Sequence, residues 1–356
     1  MNRTLIRPTG FVDSPFGHDG KVARLAGGML WFAQAELIRG DGSRELVPVE
    51  GIEARFDDAM AADWQRLTAP RPPLALGQRT VRLDQPQVMG ILNVTPDSFS
   101  DGGAYADAGA ACFAGGDMTA AGAAIVDVGG ESTRPGAHAV WEGDEIERVL
   151  PVVERLVAGG NAVSIDTRKA AVMEAALAAG AHLVNDVSAL TWDPRSAEVV
   201  AKAGLPVVLM HHSGDPQTMQ DNPRYADVLV EIFAWLEQRI AAAEAAGIAR
   251  DNIIVDPGIG FGKTVAHNLE LMNGLALFHG LGCPLLVGAS RKRTIGALSN
   301  EAPPDQRLGG SLAFALQAVG QGAQLLRVHD VPETVQALRV WRGMRDQALT
   351  PRTGAA

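Results

Sequence analysis

Eight short apolar runs recur along the chain: Val88–Leu92, Ala124–Val128, Ala162–Ile165, His182–Val184, Pro206–Met210, Ile253–Val255, Pro284–Val287 and Leu325–Val328. A strand with one wet face alternates apolar and polar residues; a continuous apolar run reads as a strand buried on both faces, the mark of a parallel sheet. Helical stretches separate the runs. Ala170–Ala179 is alanine-rich and stops at Gly180, a good C-terminal cap. Val228, Ile232, Leu236 and Ile240 repeat every fourth residue up to Gly247. Eight such units over about 240 residues predict an α/β fold, a (β/α)8 TIM barrel. A doubly wound open sheet is the rival. The count favours the barrel, and no G-x-G-x-x-G follows the first run.

The barrel is expected to span residues 80–345, with a short tail at 346–356. Residues 1–75 read as a small α+β extension: an apolar segment at Gly28–Leu37, a turn at Gly40-Asp41-Gly42 and a helix around Phe56–Leu67. The proline cluster Ala69-Pro70-Arg71-Pro72-Pro73 cannot continue a helix and reads as a linker. No constellation in the extension points to chemistry.

What ends each run is more telling. The first ends in Asn93 and the second in Asp127-Val128-Gly129-Gly130-Glu131-Ser132-Thr133-Arg134. The next four end in Asp166, Asn185-Asp186, His211-His212 and Asp256. The seventh leads to Ser290-Arg291-Lys292, and the eighth carries Arg327 and His329. All eight deliver polar groups to one rim, and in a barrel that rim builds the active site. Any strand must end somewhere polar, which accounts for one or two of these ends but poorly for eight.

Charge narrows the function. Lys and Arg total 31 against 41 Asp and Glu, a net charge of −10. So acidic a chain is a poor nucleic-acid binder, since phosphate neutralisation needs a basic surface. Cys112 and Cys283 form no C-x-x-C pair or disulfide framework, which suits a reducing, cytoplasmic compartment. Met1–Gly10 lacks the apolar core of a secretion signal, and no apolar run is long enough to span a membrane.

Two motifs invite over-reading. Asp256–Thr264 resembles a phosphate-binding P-loop, but Pro257 stands where that pattern needs glycine. Its glycines instead suit a sharp turn that lets the backbone approach a ligand. His211-His212 suggests a metal, yet no further ligand stands at the usual spacing, so a pocket wall is the simpler role. The segments after the first two runs, Thr95–Gly103 and Gly129–Gly136, are rich in turn residues and are expected to be mobile loops.

Met89–Gly103 resembles the first signature of the dihydropteroate synthases, and Asp127–Gly136 resembles the second. Ser164-Ile165-Asp166-Thr167, Asn185-Asp186, Asp256–Lys263, Gly288–Lys292 and Arg327-Val328-His329-Asp330 follow in that family's order. The resemblance covers residues 85–345. It implies condensation of 6-hydroxymethyl-7,8-dihydropterin pyrophosphate with 4-aminobenzoate, giving 7,8-dihydropteroate and pyrophosphate in folate biosynthesis, and a sulfonamide target. It implies a pterin pocket of Asp166, Asn185, Asp256 and Lys292, and a pyrophosphate site of Asn93, Thr133, Arg327 and His329. It further implies an aminobenzoate site of Phe99, Arg134, Pro135, Phe261 and Ser290. Asp166, Lys292 and Asp101 would carry catalysis, with Mg2+ bound partly through Asn93 and the enzyme working as a homodimer.

The residue types suit these roles. A carboxylate such as Asp256 accepts from a pterin's donor edge, Asn185 both donates and accepts, and Lys292 donates to a ring atom. Arg327 and His329, two apart, would share a strand face and reach one anion; the competing reading pairs Arg327 with Asp330. Two other functions compete: a pterin-binding barrel that presents a methylated folate to a corrinoid protein, and a non-catalytic paralogue.

Overall fold

The computed structural model describes residues 3–94, 103–131, 140–214 and 222–350. Eight parallel strands form the central sheet: β1 (Gln87–Asn93), β2 (Ile125–Gly129), β3 (Val163–Asp166), β4 (Leu183–Asp186), β5 (Val207–Met210), β6 (Ile253–Asp256), β7 (Leu286–Val287) and β8 (Leu325–Val328). Their order runs β6-β5-β4-β3-β2-β1-β8-β7, and a parallel bridge from Val255 to Leu285 joins the two ends. The sheet is therefore a closed (β/α)8 barrel. Each strand falls on its predicted run, shifted by a residue or two at the ends.

Side-chain alternation divides the strand residues between two cores. Met89, Ile125, Ala162, Leu183, Val208, Ile254, Leu286 and Leu325 cluster in the barrel interior. Val88, Val126, Val163, Val184, Val207, Ile253, Val287 and Leu326 belong to the larger core shared with the surrounding helices. A hairpin, Leu74–Leu76 paired with Arg79–Val81, contributes Leu74, Leu76 and Val81 to the interior cluster. It stoppers the N-terminal end of the barrel, leaving the C-terminal end as the mouth.

The helices match the sequence pattern closely. Ala170–Ala178 and Val228–Ala245 fill their predicted places, and the second is capped by Asp227, whose side chain accepts from Leu229 N and Val230 N. The last helix, Val331–Leu349, runs unbroken past residue 345.

The extension is an antiparallel sheet of Leu5–Val12, Ala23–Arg24, Trp31–Ile38 and Arg44–Pro48, backed by the helix Asp58–Thr68. It has its own core, including Phe32, Leu37, Val47 and Leu67, with Trp341 of the last helix packed against both this core and the barrel's. Arg345 of the same helix donates to the Met29 carbonyl at 2.9 Å. The proline cluster is no free spacer. Arg71 within it is buried and donates to the carbonyls of Arg66 at 2.7 Å and His279 at 3.0 Å. Burial pushes its pKa down to about 10; the carbonyls of Arg66 and Ala69 hold the guanidinium within the extension, and that of His279 fastens it to the barrel wall.

Candidate active site at the barrel mouth

Two residues beyond the interior apolar layer, the strands present polar groups in its place. Asp127 follows Ile125, Asn185 follows Leu183, Asp256 follows Ile254 and Arg327 follows Leu325, each by two positions and so on the same face. Asp166 lies two beyond Ser164. All four acids and amides are buried: Asp127, Asp166, Asn185 and Asp256 are each no more than 5% exposed.

Arg327 knits the layer together. Its Nε donates to Asp127 Oδ2 at 2.6 Å and its Nη2 to Asp166 Oδ2 at 2.5 Å. Asn185 Nδ2 donates to the same Asp127 oxygen at 3.0 Å, which turns the amide oxygen of Asn185 away from that contact. Arg327 does not pair with Asp330, which takes Arg291 instead. Burial lifts the Asp166 carboxyl to about 7, against the pull of Arg327 and with the help of Asp127. Two carboxyl oxygens in the layer, Asp127 Oδ1 and Asp166 Oδ1, are buried with no hydrogen-bond partner among the described residues. Unpaired buried acceptors are costly, so both are places where a ligand's donors would be welcome.

Asp256 completes the ring. Its Oδ1 accepts from Gly258 N at 2.7 Å. Burial raises its pKa to about 6, while Gly258, Lys292 and Lys263 favour the ionised form. Gly288, just past β7, brings bare backbone against this group: a Cβ there would stand 3.8 Å from Asp256 Oδ2 and 3.7 Å from Arg327 Cβ.

The rim sits above. Ser290 Oγ lies 3.0 Å from His329 Nδ1 and accepts from His329 N at 3.2 Å. Lys292 Nζ stands 3.9 Å over the ring of Phe261, a cation–π contact that carries the ammonium across the mouth from β7 to the β6 loop. Strand β8 ends at Val328, so strict alternation no longer relates His329 to Arg327. Arg327 joins the carboxylate layer; His329 joins Ser290. Asn93, at the end of β1, is half-buried. Phe99, Asp101, Thr133, Arg134 and Pro135 lie outside the described residues.

The glycine-rich segment after β6 turns sharply, as its sequence predicts, and its first glycine also answers to a protein neighbour. Gly258, Gly260 and Gly262 all have positive φ. A Cβ on Gly258 would fall 1.8 Å from the carbonyl oxygen of His211. The loop is pressed on the end of β5, and Gly258 is required by that close passage. His211 is buried against Trp235, its ring centroid 4.8 Å away, and burial with the nearby Lys263 pushes its pKa down to about 2. His212 turns to the Gly214 carbonyl at 3.0 Å.

Sequence reasoning passed over several residues. Asp127 was legible by phase, two positions after Ile125. Lys263 lay inside a motif read for its glycines. A third group had no signal: buried Lys169 pairs with Glu145 at 2.5 Å and with Glu131, which also takes Arg168 at 3.0 Å. Asp186, by contrast, faces away from the site. Its carboxylate shapes the turn after β4, accepting from Ser188 N, Ser188 Oγ and Leu190 N.

A family model described as "Pterin binding enzyme" matches residues 89–329. The dihydropteroate synthase of Escherichia coli K12 is 50% identical over 259 residues, covering 72% of this chain and 91% of its own length. This chain belongs to the dihydropteroate synthase family. Among solved structures, the Xanthomonas albilineans dihydropteroate synthase with 4-aminobenzoic acid superposes with a TM-score of 0.73 at 49% identity, covering 79% of this chain and all of that one. The same organism's dihydropteroate synthase in complex with 7,8-dihydropteroate gives 0.70 at 46% identity, covering 78% and 100%. The chain is thus a transferase that forms dihydropteroate. The family match begins at residue 89, so the extension lies wholly before it.

Proposed function

We propose that the buried polar layer is the pterin pocket of a dihydropteroate synthase, and that the rim around Ser290, His329, Lys292 and Phe261 receives the second substrate and the leaving group. The observation that carries this reading is the pair of buried oxygens, Asp127 Oδ1 and Asp166 Oδ1, that find no partner among the described residues, beside the polarised Asp256. A flat heterocycle with amino and ring N–H donors satisfies acceptors of this kind, and Asn185 and Lys292 add groups for its ring acceptors.

The reaction breaks the bond between the pterin methylene carbon and the pyrophosphate oxygen. It forms a bond from that carbon to the aminobenzoate nitrogen, which then loses a proton. In this reading pyrophosphate departs ahead of attack by the amine. Asp166 lies where it can offset positive charge developing on the pterin. Arg327, 19% exposed, and His329 offer donors to the departing polyanion. The side chains of Phe261 and Ser290 would border the aminobenzoate, with Phe99, Arg134 and Pro135 joining them.

Asn93 suits one position around Mg2+. Its amide oxygen is a hard donor, and Mg2+ is commonly held by one or two protein oxygens together with phosphate oxygens and water. When bound, the ion would neutralise charge on the leaving pyrophosphate. A homodimer in the cytoplasm belongs to the same proposal. Its support is the family's habit and two free thiols, of which buried Cys283 is pushed up to about 11 and is unreactive. Among the described residues no helix is long and apolar enough to cross a membrane.

The test is pyrophosphate release with and without 4-aminobenzoate. Sustained release that requires both the pterin pyrophosphate and the arylamine is the expected result. A protein that binds pterin and releases no pyrophosphate is not this enzyme.

A further inference from the structure

We propose that Lys263 is a positioning residue: it staples the Gly258–Gly262 loop to the end of β5 and so sets the ring of Phe261 that faces the second substrate. The inference rests on Phe261 bordering the aminobenzoate, as proposed above.

The geometry of Lys263 is unusual for a lysine. The residue is 3% exposed, and its Nζ has three neighbours at hydrogen-bond distance: the Gly258 carbonyl at 2.8 Å, the Phe261 carbonyl at 2.9 Å and His211 Nδ1 at 2.9 Å. Burial pushes its pKa well below the usual lysine range, against the pull of Asp256. As an ammonium it gives three N–H groups to three acceptors; as an amine it gives two to the carbonyls and accepts from His211 Nδ1, so every contact is used in either state. Saturated and enclosed, the group is placed to hold protein rather than to meet a substrate.

What it holds is specific. Other side chains tether the loop one peptide group at a time: Asp256 takes Gly258 N, Asn268 takes Gly260 N and Tyr225 gives to the Gly262 carbonyl. Among the described residues no other side chain hydrogen-bonds the Phe261 backbone. Lys263 alone joins that peptide group to β5, through His211. The loop cannot drift toward β5, because Gly258 already passes too close to the His211 carbonyl for a Cβ. Without Lys263 it can drift away, and the ring of Phe261 moves with it.

Lys263→Met keeps an unbranched, flexible side chain, one atom shorter, and removes every N–H. The expected result is a KM for 4-aminobenzoate raised about tenfold, with kcat and the KM for the pterin substrate within about threefold, the signature of lost binding rather than lost chemistry. An unchanged aminobenzoate KM overturns the inference. So does an equal rise in the pterin KM, which would mean that Lys263 acts through the charge of Asp256. Phe261→Ala is the control. If it raises the aminobenzoate KM and Lys263→Met does not, the role given to Phe261 stands and only that of Lys263 falls. If Phe261→Ala leaves the KM unchanged, both fall. Should Lys263→Met not fold, imidazole nitrogen NMR on the unmodified enzyme decides. His211 Nδ1 should show the shift of a hydrogen-bonded nitrogen throughout pH 5–8, and an Nδ1 with no hydrogen bond overturns the contact.

Discussion

Arg327 and Asp166 are 161 residues apart in sequence and 2.5 Å apart in the barrel. The same guanidinium reaches Asp127, 200 residues away, at 2.6 Å. One cation therefore neutralises two buried carboxylates while keeping an edge toward the mouth. Arg327→Ala leaves both acids uncompensated, and removing one partner of a buried pair costs about 3–5 kcal/mol. Urea unfolding should show that loss most fully above pH 7. At pH 5 it should shrink, because Asp166, with a pKa of about 7 even beside Arg327, can take a proton instead. Calorimetry with pyrophosphate and Mg2+ should show weaker binding in the same variant; unchanged affinity would place the anion elsewhere.

Asp256 sets a pH limit on pterin binding. Its folded pKa is raised from 3.8 to about 6, so the folded apoenzyme holds this proton more tightly than the unfolded chain does. Its contribution to apoenzyme stability is thus complete below pH 4 and is lost as pH rises through 6. Ligand binding runs the other way, since a pterin's donors need the carboxylate. Pterin affinity should fall as pH drops below 6. Asp256→Asn should flatten that profile and weaken binding by about 1.5–3 kcal/mol, the worth of a charge-assisted hydrogen bond. Wild-type affinity in the variant would remove Asp256 from the pocket.

Aminobenzoate should bind second. It offers few atoms, so its own binding energy is small, whereas pyrophosphate with Mg2+ brings charge to Arg327, His329 and Asn93. Titration of 4-aminobenzoate into the apoenzyme should give little heat, and into enzyme saturated with pyrophosphate and Mg2+ a clear isotherm. Equal affinity in the two titrations would mean a preformed pocket.

Gly258→Ala tests the close passage of the β6 loop. Its φ of 68° disfavours alanine, and the new Cβ would meet the His211 carbonyl at 1.8 Å. Backbone strain and forced displacement each cost about 1–3 kcal/mol, so thermal melting should show a clear drop and the aminobenzoate KM should rise with it.

Leu76→Ala should separate stability from activity. Leu76 is 1% exposed in the hairpin that stoppers the barrel's N-terminal end. A buried leucine cut to alanine costs about 2–5 kcal/mol. Its site is at the end opposite the mouth, so kcat and both KM values should hold at temperatures where the variant is folded. A change in kcat without loss of stability would show the stopper coupled to the site.

Much of this was legible in the chain because it is written locally. Apolar runs mark strands, since a strand buried on both faces needs apolar residues on both. Gly180 and Gly247 mark helix ends, and the polar residue closing each run marks the mouth. Asp256 and Asp166 close their runs and so could be placed at the mouth from position, while their roles came from the resemblance.

Closure of the barrel decided the rest. Four-residue strands are too short to announce their phase, so Asn185 and Asp186 look alike in sequence although one faces the pocket and the other builds a turn. The partners of Arg327 depend on β8, β2 and β3 lying around one axis, and a neighbour such as Asp330 competes for it only on paper. The proline cluster reads as a spacer until the burial of Arg71 shows where its hydrogen bonds go. Local propensity and periodicity are properties of neighbouring residues and can be read from order. Which buried charge meets which, and which glycine must yield to a carbonyl from the next strand, arise from contacts between distant segments that exist only once the barrel has closed.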